Sequence, residues 1–136
     1  MNIEKILELD QQAMDYISSY RKRRFAFEGL VKTEGRPFIA LTGPRGAGKT
    51  ILLRQIRARY SDAVYISADT LESGASLREI ITYLHNSMGV KRFFIDEIHF
   101  VPGYAALLKE LYDFLRVHIW FSSSVSLSLY ASSWDL

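Results

Sequence analysis

Leu41-Thr42-Gly43-Pro44-Arg45-Gly46-Ala47-Gly48-Lys49-Thr50 is the stretch on which the fold turns. From Gly43 to Thr50 it satisfies the pattern G-x-x-x-x-G-K-[ST] at each fixed position. The flanks supply the context that this pattern needs. Phe38-Ile39-Ala40-Leu41-Thr42 is a short apolar run of the kind buried on both faces of a sheet, and Thr50 to Arg57 reads as a helix. Glycines between strand and helix let the backbone curl until successive N–H groups converge on one anion, and the helix adds its positive N-terminal end. Gly43, Pro44, Arg45, Gly46, Ala47, Gly48, Lys49, Thr50 and Ile51 are therefore the candidate nucleotide-binding residues. Lys49 reaches β- and γ-phosphates as a point charge, and the Thr50 hydroxyl ligates a Mg²⁺ that bridges phosphate oxygens. Arg45 stands at a variable position, where contact with phosphate, contact with a neighbouring subunit, or no contact all satisfy the pattern.

Working outward, strands alternate with helices. Ala63-Val64-Tyr65-Ile66, Arg92-Phe93-Phe94-Ile95 and Val117-His118-Ile119-Trp120-Phe121 read as strands. Ser76-Leu77-Arg78-Glu79 has the form of a capping box opening a helix that runs to about Ser87 and ends at Gly89. Pro102-Gly103 breaks the chain before a helix from Tyr104 to Leu115. This alternation implies βαβ units, a mostly parallel sheet and an α/β fold. Ahead of the first strand, Ile3, Ile6, Leu7, Met14 and Ile17 recur at helical spacing, so residues 3–20 read as an amphipathic helix that runs into Arg21-Lys22-Arg23-Arg24. Residues 1–136 are expected to form one nucleotide-binding domain, with 1–35 as an N-terminal helical extension.

Composition sets the outer bounds. The 136 residues are 49% hydrophobic and 24% charged, a globular mixture rather than a disordered one. The absence of cysteine excludes disulfides, Cys-ligated zinc and thiol catalysis. No apolar run is long enough for a membrane span, and the first residues lack the pattern of a signal peptide, so no membrane and a cytoplasmic location are expected. Residues 1–60 carry 12 Lys/Arg against 6 Asp/Glu, whereas residues 61–136 carry 5 against 9. The basic half suits phosphates, of a nucleotide or of a nucleic acid, although the net charge of +2 is too small to argue for a polyanion.

The second half of the site is Phe93-Phe94-Ile95-Asp96-Glu97, an apolar strand ending in two acids. In a parallel sheet that end lies beside the phosphate loop, where ligands bind. Asp96 is the second candidate metal residue beside Thr50, holding Mg²⁺ through water. Glu97 is the candidate general base that orients and polarises the attacking water. The next strand ends in Ser122-Ser123-Ser124, and Ser123 is the serine expected to hydrogen-bond the γ-phosphate or the water. Glu97, Lys49 and Ser123 are thus the candidate catalytic residues. His99 is expected to face solvent or cap the following segment, His85 and His118 to be structural, and the face bearing Arg54 and Arg57 to be solvated.

Taken together, the Leu41–Thr50 loop, the Phe94-Ile95-Asp96-Glu97-Ile98 step, the helix from Tyr104 to Leu115 and the serine-rich strand end resemble the predicted AAA-type ATPases of bacteria and archaea. The resemblance covers roughly residues 20–136. It implies a P-loop NTPase fold, three-layered α/β/α, with sheet order 5-1-4-3-2 in the longer proteins and 1-4-3-2 here, the fifth strand missing. It implies ATP and Mg²⁺ as ligands, the paired acids as a Walker B motif, and a sensor role for the serine at the fourth strand end. An acid directly after the first, which P-loop kinases and GTPases usually lack, and the absence of N-K-x-D favour ATP over GTP. Relatives of this kind continue into a lid or C-terminal domain and carry an arginine finger, so the chain reads as a truncated core that binds ATP better than it hydrolyses it. Phe121 departs from the small residue expected before the serines.

The missing strand would leave Pro37–Thr42 as an edge, which implies self-association there or protection by the N-terminal helix. Three alternatives to an ATPase stay open. One is an interaction module with ATP as its switch, one a nucleic-acid-associated role resting on Arg21–Arg24, and one a small-molecule phosphotransferase, for which no acceptor pocket or lid is evident.

Overall fold

The computed structural model describes residues 3–19, 38–43, 48–71 and 74–124. The elements in chain order are α1 (Ile3–Ser18), β1 (Phe38–Thr42), α2 (Lys49–Arg57), β2 (Ala63–Ser67), α3 (Gly74–Met88), β3 (Arg92–Asp96), α4 (Tyr104–Leu115) and β4 (His118–Ser123), with short 3-10 turns at Ala68–Thr70 and Ile98–Phe100. All strand pairs are parallel and the order is β1-β4-β3-β2, the expected arrangement.

Side chains alternate across each strand, so one strand feeds two cores. Phe38, Val64, Ile66, Phe93, Ile95, Ile119 and Phe121 point to the face covered by α3 and α4 through Leu77, Ile81, Leu84, Leu108 and Leu111. Ile39, Leu41, Tyr65, Phe94 and Trp120 point to the other face, covered by α2 through Leu52, Leu53 and Ile56. Phe94 and Trp120 stack at 4.6 Å between ring centroids with planes 9° apart. Offset aromatic stacking of this kind fixes the register of two central strands as well as burying area. The result is a three-layer α/β/α sandwich.

Small boundary differences have local causes. β3 runs one residue beyond its apolar stretch, to Asp96, because Ser67 of β2 stands opposite to extend the ladder. β4 includes Ser122 and Ser123, which pair with Leu41 and Thr42 of β1. α3 begins at Gly74, so Ser76 lies within its first turn rather than ahead of it. α3 ends as expected, Gly89 N donating to the His85 carbonyl at 3.2 Å and Val90 N to the Leu84 carbonyl at 3.2 Å.

α1 corrects two expectations. It packs against β2 and α2, at the opposite side of the sheet from β1, so it does not protect the β1 edge. It straddles the sheet margin, with Ile6 in one core and Ala13 in the other. Asp10 is its anchor. The carboxylate accepts from Arg57 Nε and Nη2, both at 2.9 Å, and from the Tyr65 backbone N–H at 2.6 Å. Tyr65 lies on the outer strand, and Asp10 satisfies an N–H that an edge strand otherwise leaves exposed. Arg57 is therefore not on a solvated face. Neither is Arg54, whose guanidinium carbon lies 5.7 Å from the Tyr16 ring centroid and 4.8 Å from that of Tyr65. The basic cluster Arg21–Arg24 falls outside the described residues.

Candidate functional site

The loop is described at its two ends, and Pro44, Arg45, Gly46 and Ala47 lie outside the described residues. Gly43 leaves β1 with φ of 147° and Gly48 enters α2 with φ of 86°. Both values lie where a Cβ clashes with the backbone, which is why glycine stands at these two positions. The Gly48 carbonyl receives the Leu52 N–H at 3.1 Å, starting the helix and leaving the N–H groups of its first turn aimed out of its end. Lys49, although 8% exposed, keeps its ammonium at the loop, donating to the Gly43 carbonyl at 2.7 Å. Ile51 is half-buried in the same first turn.

The parallel sheet carries the end of β3 to this loop. Thr50 Oγ1 donates to Asp96 Oδ2 at 2.7 Å, across 46 residues of sequence. Tyr65 donates its hydroxyl to the same Oδ2 at 2.6 Å, and Ser122 Oγ donates to Oδ1. Asp96 is 3% exposed, and its hydrogen-bond partners among the described residues are neutral hydroxyls. Such donors hold a buried carboxylate in place without cancelling its charge. A carboxylate beside a hydroxyl is the oxygen donor set a hard divalent cation takes. No group of three or more His, Cys, Asp or Glu side chains among the described residues is arranged to hold a metal ion.

A family model described as an AAA domain matches residues 35–134. The chain belongs to the AAA domain family. That family has the P-loop fold and is a family of nucleotide-binding ATPases. No curated protein matches the chain. Five chains of solved structures match. One is from the structure of C. elegans PCH-2, with 19% identity over 94% of the present chain, a TM-score of 0.48, and 41% of the PCH-2 chain covered. The present chain thus spans less than half the length of that protein.

In this AAA domain the residue after Asp96 has an unusual backbone. Glu97 has φ of 57° and ψ of 48°, a left-handed conformation that costs a non-glycine residue about 1–3 kcal/mol. Ser122 holds the turn, its Oγ accepting the Glu97 N–H at 3.0 Å while donating to Asp96. One buried hydroxyl thereby ties the two acids together. The Glu97 side chain meets His99, with Nε2 3.3 Å from Oε2 and both side chains only 18% exposed. His99 Nδ1 lies 3.1 Å from Ser123 Oγ. His99 therefore does not simply face solvent or cap a segment.

The structure thus brings Lys49, Thr50, Asp96, Glu97 and Ser123 to one end of the sheet. Reading the sequence missed Tyr65, Ser122 and the position of His99. Ser122 was legible as one of three serines, but only the pleat decides that Ser122 faces Asp96 and Ser123 faces His99. His85 is structural as expected, Nδ1 lying 2.8 Å from the Val90 carbonyl. No helix among the described residues is long and apolar enough to cross a membrane.

Proposed function

We propose that the chain binds ATP with Mg²⁺ at the Gly43–Thr50 loop and forms the hydrolytic core of a longer ATPase. The observation that carries this reading is the meeting of Thr50 and the buried Asp96 at 2.7 Å, with the ammonium of the adjacent Lys49 held at the Gly43 carbonyl. Gly43, Pro44, Arg45, Gly46, Ala47, Gly48 and Ile51 contribute the loop and the first helical turn around the phosphates. Lys49 draws charge from the β- and γ-phosphates. Thr50 and Asp96 would hold Mg²⁺, which would neutralise phosphate charge. Glu97 takes a proton from the attacking water, and Ser123 senses the terminal phosphate. Such catalysis is mostly positioning and electrostatics, because phosphoryl transfer asks little covalent chemistry of the protein.

Calorimetric titration of the chain with ATP, and with GTP as comparison, in Mg²⁺ tests the reading beside Lys49→Ala. Micromolar ATP binding lost in the variant is the expected result. No binding by the unaltered chain refutes it.

The His99 contact favours a second reading, ATP as switch rather than fuel. Glu97 Oε2 lies 3.3 Å from His99 Nε2, so His99 competes with water for one of the two carboxylate oxygens. His99→Ala raises ATP turnover if the contact restrains Glu97. Turnover that stays absent in His99→Ala while ATP still alters binding of a protein partner or nucleic acid favours the switch.

A further inference from the structure

We propose that Tyr65 is a positioning residue for the metal-binding carboxylate, its hydroxyl fixing Asp96 Oδ2 so that the carboxylate presents to Mg²⁺ in one orientation. The inference rests on the nucleotide reading above and adds a residue that the loop and acidic motifs do not contain.

The direction of the hydrogen bond is forced by its neighbours. Arg54 Nη2 lies 3.4 Å from the Tyr65 oxygen, and a guanidinium can only donate. The Tyr65 proton therefore has to point at Asp96, 2.6 Å away. Arg54 also lies over the Tyr65 ring, which fixes the ring plane as well as the hydroxyl. Burial, reinforced by the charge of Asp96 and the hydrogen bond to it, pushes the Tyr65 hydroxyl above the ordinary tyrosine range, with Arg54 opposing.

The backbone beneath is held as firmly. Tyr65 N donates to Asp10 at 2.6 Å on the outer side of the sheet, and Tyr65 pairs with Phe94 of β3 on the inner side. A rigid strand thus carries a rigid phenol to a carboxylate two residues further along the neighbouring strand. Thr50 shares Oδ2 with Tyr65, and Ser122 holds Oδ1. Thr50 is itself a candidate metal ligand. Tyr65 and Ser122 are then the partners that keep Asp96 oriented when a cation engages Thr50. Hydrogen bonds that orient a metal ligand typically change metal affinity by about 10–100-fold.

A tyrosine buried merely to fill the core makes a different prediction, so Tyr65→Phe separates the two. The variant keeps the ring and removes one oxygen. ATP binding to the full chain is measured by calorimetry in EDTA and over a Mg²⁺ series, with thermal unfolding without nucleotide as the fold control. ATP affinity in EDTA stays within about twofold, while the Mg²⁺ concentration that half-saturates the enhancement of ATP binding rises roughly 10–100-fold. An unchanged Mg²⁺ requirement overturns the proposal. So does an equal loss of affinity with and without Mg²⁺, which marks Tyr65 as a packing residue only. Failure of the unaltered chain to bind ATP in either condition overturns the nucleotide reading itself, and this inference with it.

Discussion

Asp10→Ala is expected to destabilise the chain by about 3–4 kcal/mol, although residue 10 lies in an N-terminal helix far from the phosphate loop in sequence. The Asp10 and Arg57 side chains are 10% and 13% exposed, so water screens them little. Removing the carboxylate strands the Arg57 cation, whose two bonds to Asp10 are 2.9 Å long. Breaking a buried pair from one side costs about 3–5 kcal/mol. The Tyr65 N–H loses its 2.6 Å partner at the same time. An unsatisfied buried donor costs about 1–3 kcal/mol, and the two losses overlap because the cavity admits water to both. The expectation therefore stays at the lower part of the range for the pair alone, about 3–4 kcal/mol, a fall in Tm of roughly 12 °C for a chain of this size. Urea unfolding followed by circular dichroism gives the free energy. Glu110→Ala is the matched control, since the Arg78–Glu110 pair is also Arg–carboxylate but has side chains 50% and 42% exposed. It should cost about 0–1 kcal/mol. The double change Asp10→Leu with Arg57→Met removes both charges and should recover most of the loss, leaving the deficit of the unpaired Tyr65 N–H. If Asp10→Ala costs no more than Glu110→Ala, the anchoring of α1 to the β2 margin described above is wrong.

Three further outcomes are expected. Glu97→Gln leaves ATP affinity nearly unchanged while lowering any hydrolysis by about 10²–10⁴-fold, and equal loss of both contradicts its assignment as base. Ser122→Ala, at a fully buried position, costs about 1–3 kcal/mol in urea unfolding because Asp96 and the strained Glu97 turn lose a shared partner. Tyr65 makes stability pH-dependent at the alkaline end. Its folded value lies above the unfolded one near 10, so above about pH 10 the folded chain holds a proton that the unfolded chain has lost, and stability falls as pH rises. Urea midpoints between pH 8 and pH 11 should show this slope in the unaltered chain and a shallower one in Tyr65→Phe.

Much of this molecule was legible in order along the chain. A phosphate loop is a local device whose glycines, lysine and threonine lie within eight positions, so eight adjacent letters suffice to propose one at Gly43–Thr50. The strands are short apolar runs bounded by breakers, and their alternation with helices leaves a parallel sheet as the economical way to bury them. The acids of β3 were assigned to the loop because parallel strands share one ligand-binding end. These are consequences of spacing and chain direction, which sequence carries in full.

What only the tertiary structure decided are the contacts between elements distant in sequence. Tyr65 reads as a core aromatic until β2 is laid beside β3, when its hydroxyl falls on Asp96. Arg57 reads as a solvated helix residue until α1 folds over the β2 margin and Asp10 meets it. His99 follows the acidic pair by two residues, yet only the left-handed turn at Glu97 brings the imidazole back to that carboxylate and to Ser123. No local pattern encodes these pairs, because burial and rotamer at one position depend on which strand becomes its neighbour. The sequence by itself determined that the first strand runs through a glycine-rich stretch into a helix, and which strand end lies beside that stretch. The fold decided which uncharged hydroxyls hold the buried carboxylate, because a hydrogen bond depends on ångström-scale separation and not on distance along the chain.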